Sequence, residues 1–369
     1  MRDGARFLDD SLSALQASDL SKNRWELIVV DDSSSDRSAE VAVLYADSVI
    51  RLVNGPAGPA VARNRGAAVA RGSVLVFVDA DVCVHADALR RVIEIFQRES
   101  DVTAVFGAYD SAPAARGLIS QYRNLLHRYV HLRDAGDAAT FWAGCGAIRA
   151  EAFARCGGFD EALVHASIED IELGYRMSAL GHRIVLDPEV QARHLKRWTL
   201  RSMIVSDVRH RGIPWMRLLM KQKARPAATL NIRVSEQACT VLVIVGCLAW
   251  FGWLWNGGSA WLAVAASAIT TTLVINGPLL AWFARQRGWK FALCSVPLRL
   301  LYYVLNAVSV SLALLSVAFD QPDTPRAQER GRRAESAAMT GTVYNRLVRQ
   351  DRRVVEDNAA RPAARPASE

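Results

Sequence analysis

Two apolar runs in this chain end in closely spaced aspartates. Trp25–Val30 runs into Asp31 and Asp32, and Ser73–Val78 into Asp79 and Asp81. If both runs are strands of one sheet, four carboxylates share an edge and repel one another. A divalent cation resolves that repulsion: hard oxygen ligands suit Mg²⁺ or Mn²⁺, and such an ion can in turn hold a substrate diphosphate. Aspartate also caps ordinary turns, so an isolated Asp-x-Asp carries little, but its place after a fully apolar strand gives it weight. A third acidic element, Glu169-Asp170, opens a helical pattern that continues through Tyr175-Arg176-Met177 to Gly181. There a carboxylate either compensates the helix dipole or serves as a general base.

The elements that must position these groups have the rhythm of an α/β domain between Arg24 and about Lys196. Trp25–Val30 is read as a strand, the polar turn Asp31–Asp36 as the cap of a helix over Ser38–Ala46, and Ser48–Val53 as a short strand. A Gly/Pro turn over residues 54–59 leads to a helix over Ala60–Arg71 and then the strand Ser73–Val78. Continuous apolar strands suit a mainly parallel sheet covered on both faces. Ligands in such folds sit beyond the carboxyl ends of the strands.

The chain has 369 residues, 51% of them hydrophobic, and a formal charge of +8 from 45 Lys+Arg against 37 Asp+Glu. That composition excludes disorder over most of its length. Cys83, Cys145, Cys156, Cys239, Cys247 and Cys294 form no CxxC pair, which argues against a zinc ribbon or a disulfide framework and for a reducing compartment. Met1–Asp10 lacks an apolar core, so no cleavable leader is expected there. Uncharged stretches at Ala238–Trp255, Gly257–Ala284 and Leu300–Phe319 read as three membrane helices, each near the length needed to cross a bilayer. Lys221, Lys223, Arg225 and Arg233 precede the first and Arg285, Arg287 and Lys290 follow the second, which predicts an integral protein of the inner or plasma membrane with its α/β domain on the cytoplasmic side. Arginines beyond Phe319 conflict with a third crossing. The basic balance is not that of a nucleic-acid binder, because the excess charge flanks membrane runs.

Trp198–Lys223 mixes apolar and basic residues as an interfacial amphipathic segment does, and Pro214 is expected to split it into two helices. The resulting division is an α/β domain over 1–197, interfacial helices over 198–234, a membrane region over 238–319 and a disordered Pro/Ala/Arg tail over 320–369.

Val29–Asp36, Ala62–Gly66, Val76–Asp81, Gly157–Glu161 and Glu169-Asp170 occur in an order that resembles family 2 glycosyltransferases over roughly residues 5 to 200. The resemblance implies a GT-A nucleotide-sugar-binding fold and a metal-dependent, inverting transfer from a UDP- or GDP-linked sugar to an acceptor hydroxyl or phosphate; the membrane runs beside the domain add the expectation of a lipid-linked acceptor. Carried over position by position, it makes Asp32 the partner of a uracil-like base with Asp31 beside it. It sets Asp79 against ribose and metal, Asp81 on the metal, and Asp170 as catalytic base. Arg193–Trp198 resembles the Gln/Arg-x-x-Arg-Trp motif of membrane-bound members, with His194 in the Gln place as a further metal ligand, and Arg197 and Trp198 clamping diphosphate and acceptor or anchoring at the lipid interface. The departure at His194 weakens the case for a processive polymer synthase. The family's opening apolar strand has no counterpart, since Arg2–Ala17 matches the helix that follows it. Either the start is assigned too late, the favoured reading, or the chain is a truncated, non-catalytic membrane scaffold derived from a glycosyltransferase, which stands as the alternative function.

Overall fold

A computed structural model describes residues 1–53, 55–163, 167–221 and 233–319. The expected tail over 320–369 lies outside the described residues, as do Lys223 and Arg225. In chain order the first half contains α1 (Ala5–Gln16), β1 (Ile28–Asp31), α2 (Ser38–Val43), β2 (Ser48–Arg51), α3 (Pro59–Val69), β3 (Val74–Val78), β4 (Val82–Val84), α4 (Ala88–Arg98) and β5 (Val102–Tyr109). There follow α5 (Leu118–Arg133), β6 (Gly136–Ala138), β7 (Cys145–Arg149), α6 (Ala150–Arg155), α7 (Glu169–Ala179) and β8 (Arg183–His194). The helical part comprises α8 (Leu200–Val205), a π-helical segment Ser206–Gly212, α9 (Ile213–Lys221), α10 (Val234–Asn256), α11 (Ser259–Ile275), α12 (Gly277–Arg287) and α13 (Trp289–Phe319).

The sheet is mixed, which corrects the expectation of a mainly parallel one. β1 and β2 pair in parallel as a separate ribbon, and the larger sheet runs β3-β7-β5-β8-β4 with β6 on the flank of β8. Within it only β5–β8 is parallel, because β7 returns between β3 and β5 in the opposite sense and β4 and β6 run against β8. Continuous apolar strands report burial on both faces rather than strand direction. Every residue of β5 is buried, with α4 and α5 packed on the sheet.

β1 and β3 do not pair. Between them lies a cavity of about 520 Å³, walled by Leu27–Val30 and Val74–Val78 and roofed by Leu8, Leu12 and Leu15 of α1. At its end Met1 forms a single parallel bridge to β1: its amino group donates to the Val30 carbonyl (2.6 Å) and its carbonyl accepts from the Asp32 amide (2.8 Å). The polar turn expected to cap α2 serves α1 as well. Asp36 accepts from the Ala5 amide at 3.0 Å and Ser38 Oγ from the Gly4 amide at 2.8 Å, satisfying amides that open α1.

The helices of the second half dock on this domain. Met203, Leu279, Phe283 and Ala292 join the same buried cluster as Tyr122, Leu125 and Phe141. α10 and α13 are long and apolar enough to cross a membrane, while α11 and α12 form one apolar unit bent by 59°, so two spans, or three if the bent pair counts as one, are available where about three were expected. Nor does Pro214 split the amphipathic segment. The backbone stays helical through Val205 and Ile213, and Pro214, lacking an N–H, stands just after turns already widened to the π pattern.

The membrane runs, read as starting at Ala238 and Leu300, extend past charges that looked like borders. Arg299 Nη2 contacts both oxygens of Glu236 at 2.7 and 2.8 Å, its Nε reaches Asn276 Oδ1 at 2.7 Å, and Tyr303 donates to the same oxygen at 3.1 Å. Arg133 of α5 lies 3.6 Å from Glu236. This buried cluster ties α10, α13 and the α11–α12 bend to the α/β domain. Removing one member of such a pair strands a buried charge at about 3–5 kcal/mol, whereas removing both is far milder. Arg299→Leu is therefore expected to lower the thermal midpoint in detergent sharply, and Glu236→Leu/Arg299→Leu to recover most of it. Equal losses in the single and double variants would contradict the account.

Candidate active site

The carboxylates of β1 and β3 meet at one end of the domain, each already in defined company. Asp32 is 5% exposed, and its two oxygens accept the Ala57 and Gly58 amides at 2.7 and 2.9 Å. That turn needs Gly58, whose φ is 95°, a value costly for any residue with a Cβ. Asp31 accepts the Ser34 amide at 3.1 Å and lies 3.6 Å from Arg51 Nε. Asp32 thus holds the turn at Gly58 and Asp31 the turn at Ser34, and both keep further lone pairs for a ligand.

Arg63, on α3, joins the next two carboxylates. Its Nη2 donates to Asp79 Oδ1 at 2.7 Å and its Nη1 to Glu169 Oε1 at 2.5 Å. Burial opposes its charge, but Asp79, Glu169 and Asp170 outweigh it and hold the guanidinium protonated well above its ordinary pKa. Asn64 locks the neighbouring loop: Oδ1 accepts from the Phe159 amide and Nδ2 donates to the Phe159 carbonyl, both at 2.9 Å. Gly158 stands at φ 70°, where a Cβ would lie 2.7 Å from Asn64 Oδ1. The Ala62–Gly66 and Gly157–Glu161 motifs thus form one structural unit.

Asp170 lies in the first turn of α7. Its Oδ2 accepts the Ala143 amide at 3.1 Å. Burial first, and then the neighbouring Glu169 charge, push its carboxyl up to about 7, against the opposing pull of Arg63. α7 approaches this closely because Gly174 has no side chain. A Cβ there would sit 2.2 Å from the Phe141 amide nitrogen.

Asp81 faces His194, the last residue of β8, with Oδ2 and Nε2 3.4 Å apart. Asn124 Nδ2 donates to the Ser120 carbonyl at 2.9 Å, which turns its Oδ1 toward His194 Nδ1 at 2.7 Å. His194 therefore carries its proton on Nδ1 when neutral, and its Nε2 lone pair looks at a carboxylate. Two acceptors face to face call for a positive charge between them, either a proton or a metal. Burial raises the Asp81 carboxyl, yet the His194 hydrogen bond and the His194 and Lys196 charges leave it below its usual value. The His194 ring stacks on Tyr109 at 4.6 Å.

Of the three ligands expected from the sequence, Asp81 and His194 lie side by side, while Asp79 is turned to Arg63. Among the described residues no three His, Cys, Asp or Glu side chains gather closely enough to hold a metal by themselves. Such a pair still fits Mg²⁺ or Mn²⁺, ions commonly held by one or two protein ligands together with substrate phosphates. Trp198 is anchored through its amide to Ser120 Oγ at 2.8 Å, with Lys196 4.3 Å from its ring centroid. Arg197 is exposed. Sequence reasoning missed the Arg63–Glu169 bridge and Asn124. Arg63 and Glu169 both lie in recognised motifs, but nothing local to either shows which groups Arg63 joins.

Residues 3–157 match the family described as Glycosyl transferase family 2. Together with this architecture, the match makes the α/β part of the chain a family 2 glycosyltransferase domain, followed by apolar helices able to span a membrane. Among characterised relatives, it is 26% identical over 205 residues to the O-antigen chain rhamnosyltransferase WbaN of Salmonella anatum, covering 52% of this chain and 64% of that protein. It is 24% identical over 222 residues to a beta-monoglucosyldiacylglycerol synthase of Trichormus variabilis, covering 55% and 41%. The chain spans about half the length of the curated relatives it matches. Its fold is similar to that of the mannosyltransferase PcManGT from Pyrobaculum calidifontis, at 17% identity, TM-score 0.51 and 84% coverage of each chain, in a structure containing GDP-Man and Mn²⁺.

Gly174→Ala is expected to push α7 off the 140–143 segment and draw Asp170 from the Ala143 amide. Overpacking of this kind costs about 1–3 kcal/mol, so the thermal midpoint falls by several degrees. An unchanged midpoint would contradict the backbone-to-backbone contact.

Proposed function

We propose that the chain transfers a sugar from a UDP- or GDP-linked donor to an acceptor hydroxyl or phosphate on a lipid, at the cytoplasmic face of the inner or plasma membrane, with inversion at the anomeric carbon. The observation that carries this reading is the Asp81–His194 pair, two acceptors set opposite each other within the same end of the domain as a carboxylate poised near neutrality. Asp31 and Asp32 offer their remaining lone pairs to the nucleoside, and Asp79 reaches the ribose while tethered by Arg63. Asp81 and His194 hold the divalent cation, which when bound neutralises the departing diphosphate. Arg197 and Trp198 close over the diphosphate and the acceptor. Asp170, in its ionised form, takes the proton from the acceptor hydroxyl as that oxygen attacks. Inversion follows from having one attacking oxygen and no covalent intermediate.

The GDP-Man and Mn²⁺ of the Pyrobaculum structure and the glycolipid product named for the Trichormus relative are consistent with this donor, metal and acceptor class. The membrane helices packed on the domain favour a lipid for the same reason. The rival reading, a non-catalytic membrane scaffold, draws on the gap between β1 and β3 beside the Asp31–Asp32 turn.

Metal-dependent hydrolysis or transfer with UDP- and GDP-sugars separates the two. Asp81→Asn and Asp170→Asn are each expected to lower the rate by about 10²-fold or more, the scale of a lost general base. Equal rates in all three proteins would end the catalytic reading. The base works only when ionised, so protonation of Asp170 below about pH 7 should remove activity. kcat/KM is expected to climb about tenfold per pH unit up to that point and level off above it. A profile flat from pH 5.5 to 8 would contradict the role of Asp170.

A further inference from the structure

Behind the aromatic layer of the site lies a second, smaller cavity of about 80 Å³, enclosed by α5, the π-helical segment, Trp215 of α9 and Tyr302 and Asn306 of α13. Besides Tyr302 and Asn306, its polar lining includes Arg123, His127, His131, Asp207 and Arg211. Asp207 is already neutralised, since Arg123 contacts both of its oxygens at 2.5 and 3.1 Å. Arg211 has no carboxylate within ion-pair distance among the described residues. Its guanidinium lies 5.3 Å from the Trp215 ring centroid, and its Nε is buried with no hydrogen-bond acceptor. His127 Nδ1 is likewise buried and unpartnered. Burial foremost, with His131 adding to it, lowers the pKa of His127, and burial brings His131 down to about 4. Both rings are thus neutral, and the uncompensated positive charge of the cavity belongs to Arg211.

A guanidinium Nε and an imidazole Nδ1, both buried without a partner at one cavity, are costly to maintain without a ligand. A small anion accepting hydrogen bonds from both would satisfy them, and a phosphate suits a guanidinium by geometry as well as charge. The cavity stands beside the chemistry. The His127 ring lies 4.5 Å from Tyr109, which stacks on His194, and 4.8 Å from Trp142, whose neighbour Ala143 donates to Asp170. Its opposite wall is an apolar helix able to span a membrane, and Leu126, Val130 and Trp215 give the remainder an apolar surface. The π-helical segment is held there by close approach: a Cβ on Gly212 would lie 2.2 Å from Ser309 Oγ of α13.

We propose that this cavity seats a phosphate carried in the headgroup of the acceptor lipid, held by Arg211 and His127, with the lipid's chains directed along α13. This deepens the transferase reading above and rests on it for the word acceptor, while the binding it predicts can be measured without transfer.

The test uses the full chain in detergent micelles, titrated with hexadecyl phosphate, hexadecanol and inorganic phosphate while tryptophan fluorescence is followed. Hexadecyl phosphate is expected to bind saturably and at least about tenfold more tightly than either hexadecanol or inorganic phosphate, as a charge-assisted contact implies. Arg211→Gln should weaken it about tenfold, Arg211→Lys should restore part of that loss, and Arg209→Gln, at an exposed position of the same segment, should leave it unchanged. Hexadecanol binding as well as the phosphate, or Arg211→Gln binding like the unaltered chain, would overturn the proposal. Inorganic phosphate binding as tightly as its alkyl ester would overturn the lipid source. Should the Arg211 variants fail to fold, the comparison of the three ligands on the unaltered chain still decides. Binding of UDP- and GDP-sugars with Mn²⁺ is measured on the same preparation. Loss of donor binding alone defeats the transferase reading, and loss of lipid-phosphate binding alone defeats this one.

Discussion

The site is organised by what it must do with crowded negative charge. Asp31, Asp32, Asp79, Asp81, Glu169 and Asp170 approach one end of the domain, and the fold divides them. Backbone amides take up Asp32, and a single part-buried guanidinium, Arg63, takes Asp79 and Glu169. Asp170 is left with one amide from Ala143, one from Ile171 and the repulsion of Glu169. Asp81 is left facing His194 Nε2, a pair that a proton or a metal completes. Two groups therefore remain unsettled, one disposed to exchange a proton and the other to receive a cation. They are the two capacities that sugar transfer from a diphosphate asks for.

The supporting structure can be traced to that division. Arg63 can reach both acids only because α3 is pinned to the 157–161 loop by Asn64, and Asp170 meets Ala143 only because Gly174 lets α7 lie on the 140–143 backbone. His194 is oriented from α5 by Asn124, and the same helix packs through Tyr122 on Phe283 of α12. The membrane-spanning helices thus bear on the helix that orients the candidate metal ligand. The buried Glu236–Arg299 pair, joined by Arg133, fixes them from the other side.

The aspartates could be picked out in the sequence because an apolar strand that stops at a charged turn has few structural excuses for two acids in a row. Asp170 was visible as part of a helix start. Arg63 was not assignable, since its partners lie 16 and 106 residues away and nothing local marks an arginine in Ala62–Gly66 as a bridge. The antiparallel course of β7 was hidden because strands buried on both faces look alike whichever way they run. Glu236 and Arg299 fall just outside the apolar stretches that begin at Ala238 and Leu300, because hydropathy counts each charge alone and does not register that two helices can neutralise them against each other.

The central claim is that Asp81 and His194, rather than Asp79, hold the cation of the donor diphosphate. Electron spin-echo spectroscopy of Mn²⁺ bound to the full chain with a nucleoside diphosphate tests it most directly. The account predicts an imidazole nitrogen coupled to the manganese that disappears in His194→Gln and persists in Asp79→Asn. Manganese bound without nitrogen coupling, or a coupling indifferent to His194, would contradict it.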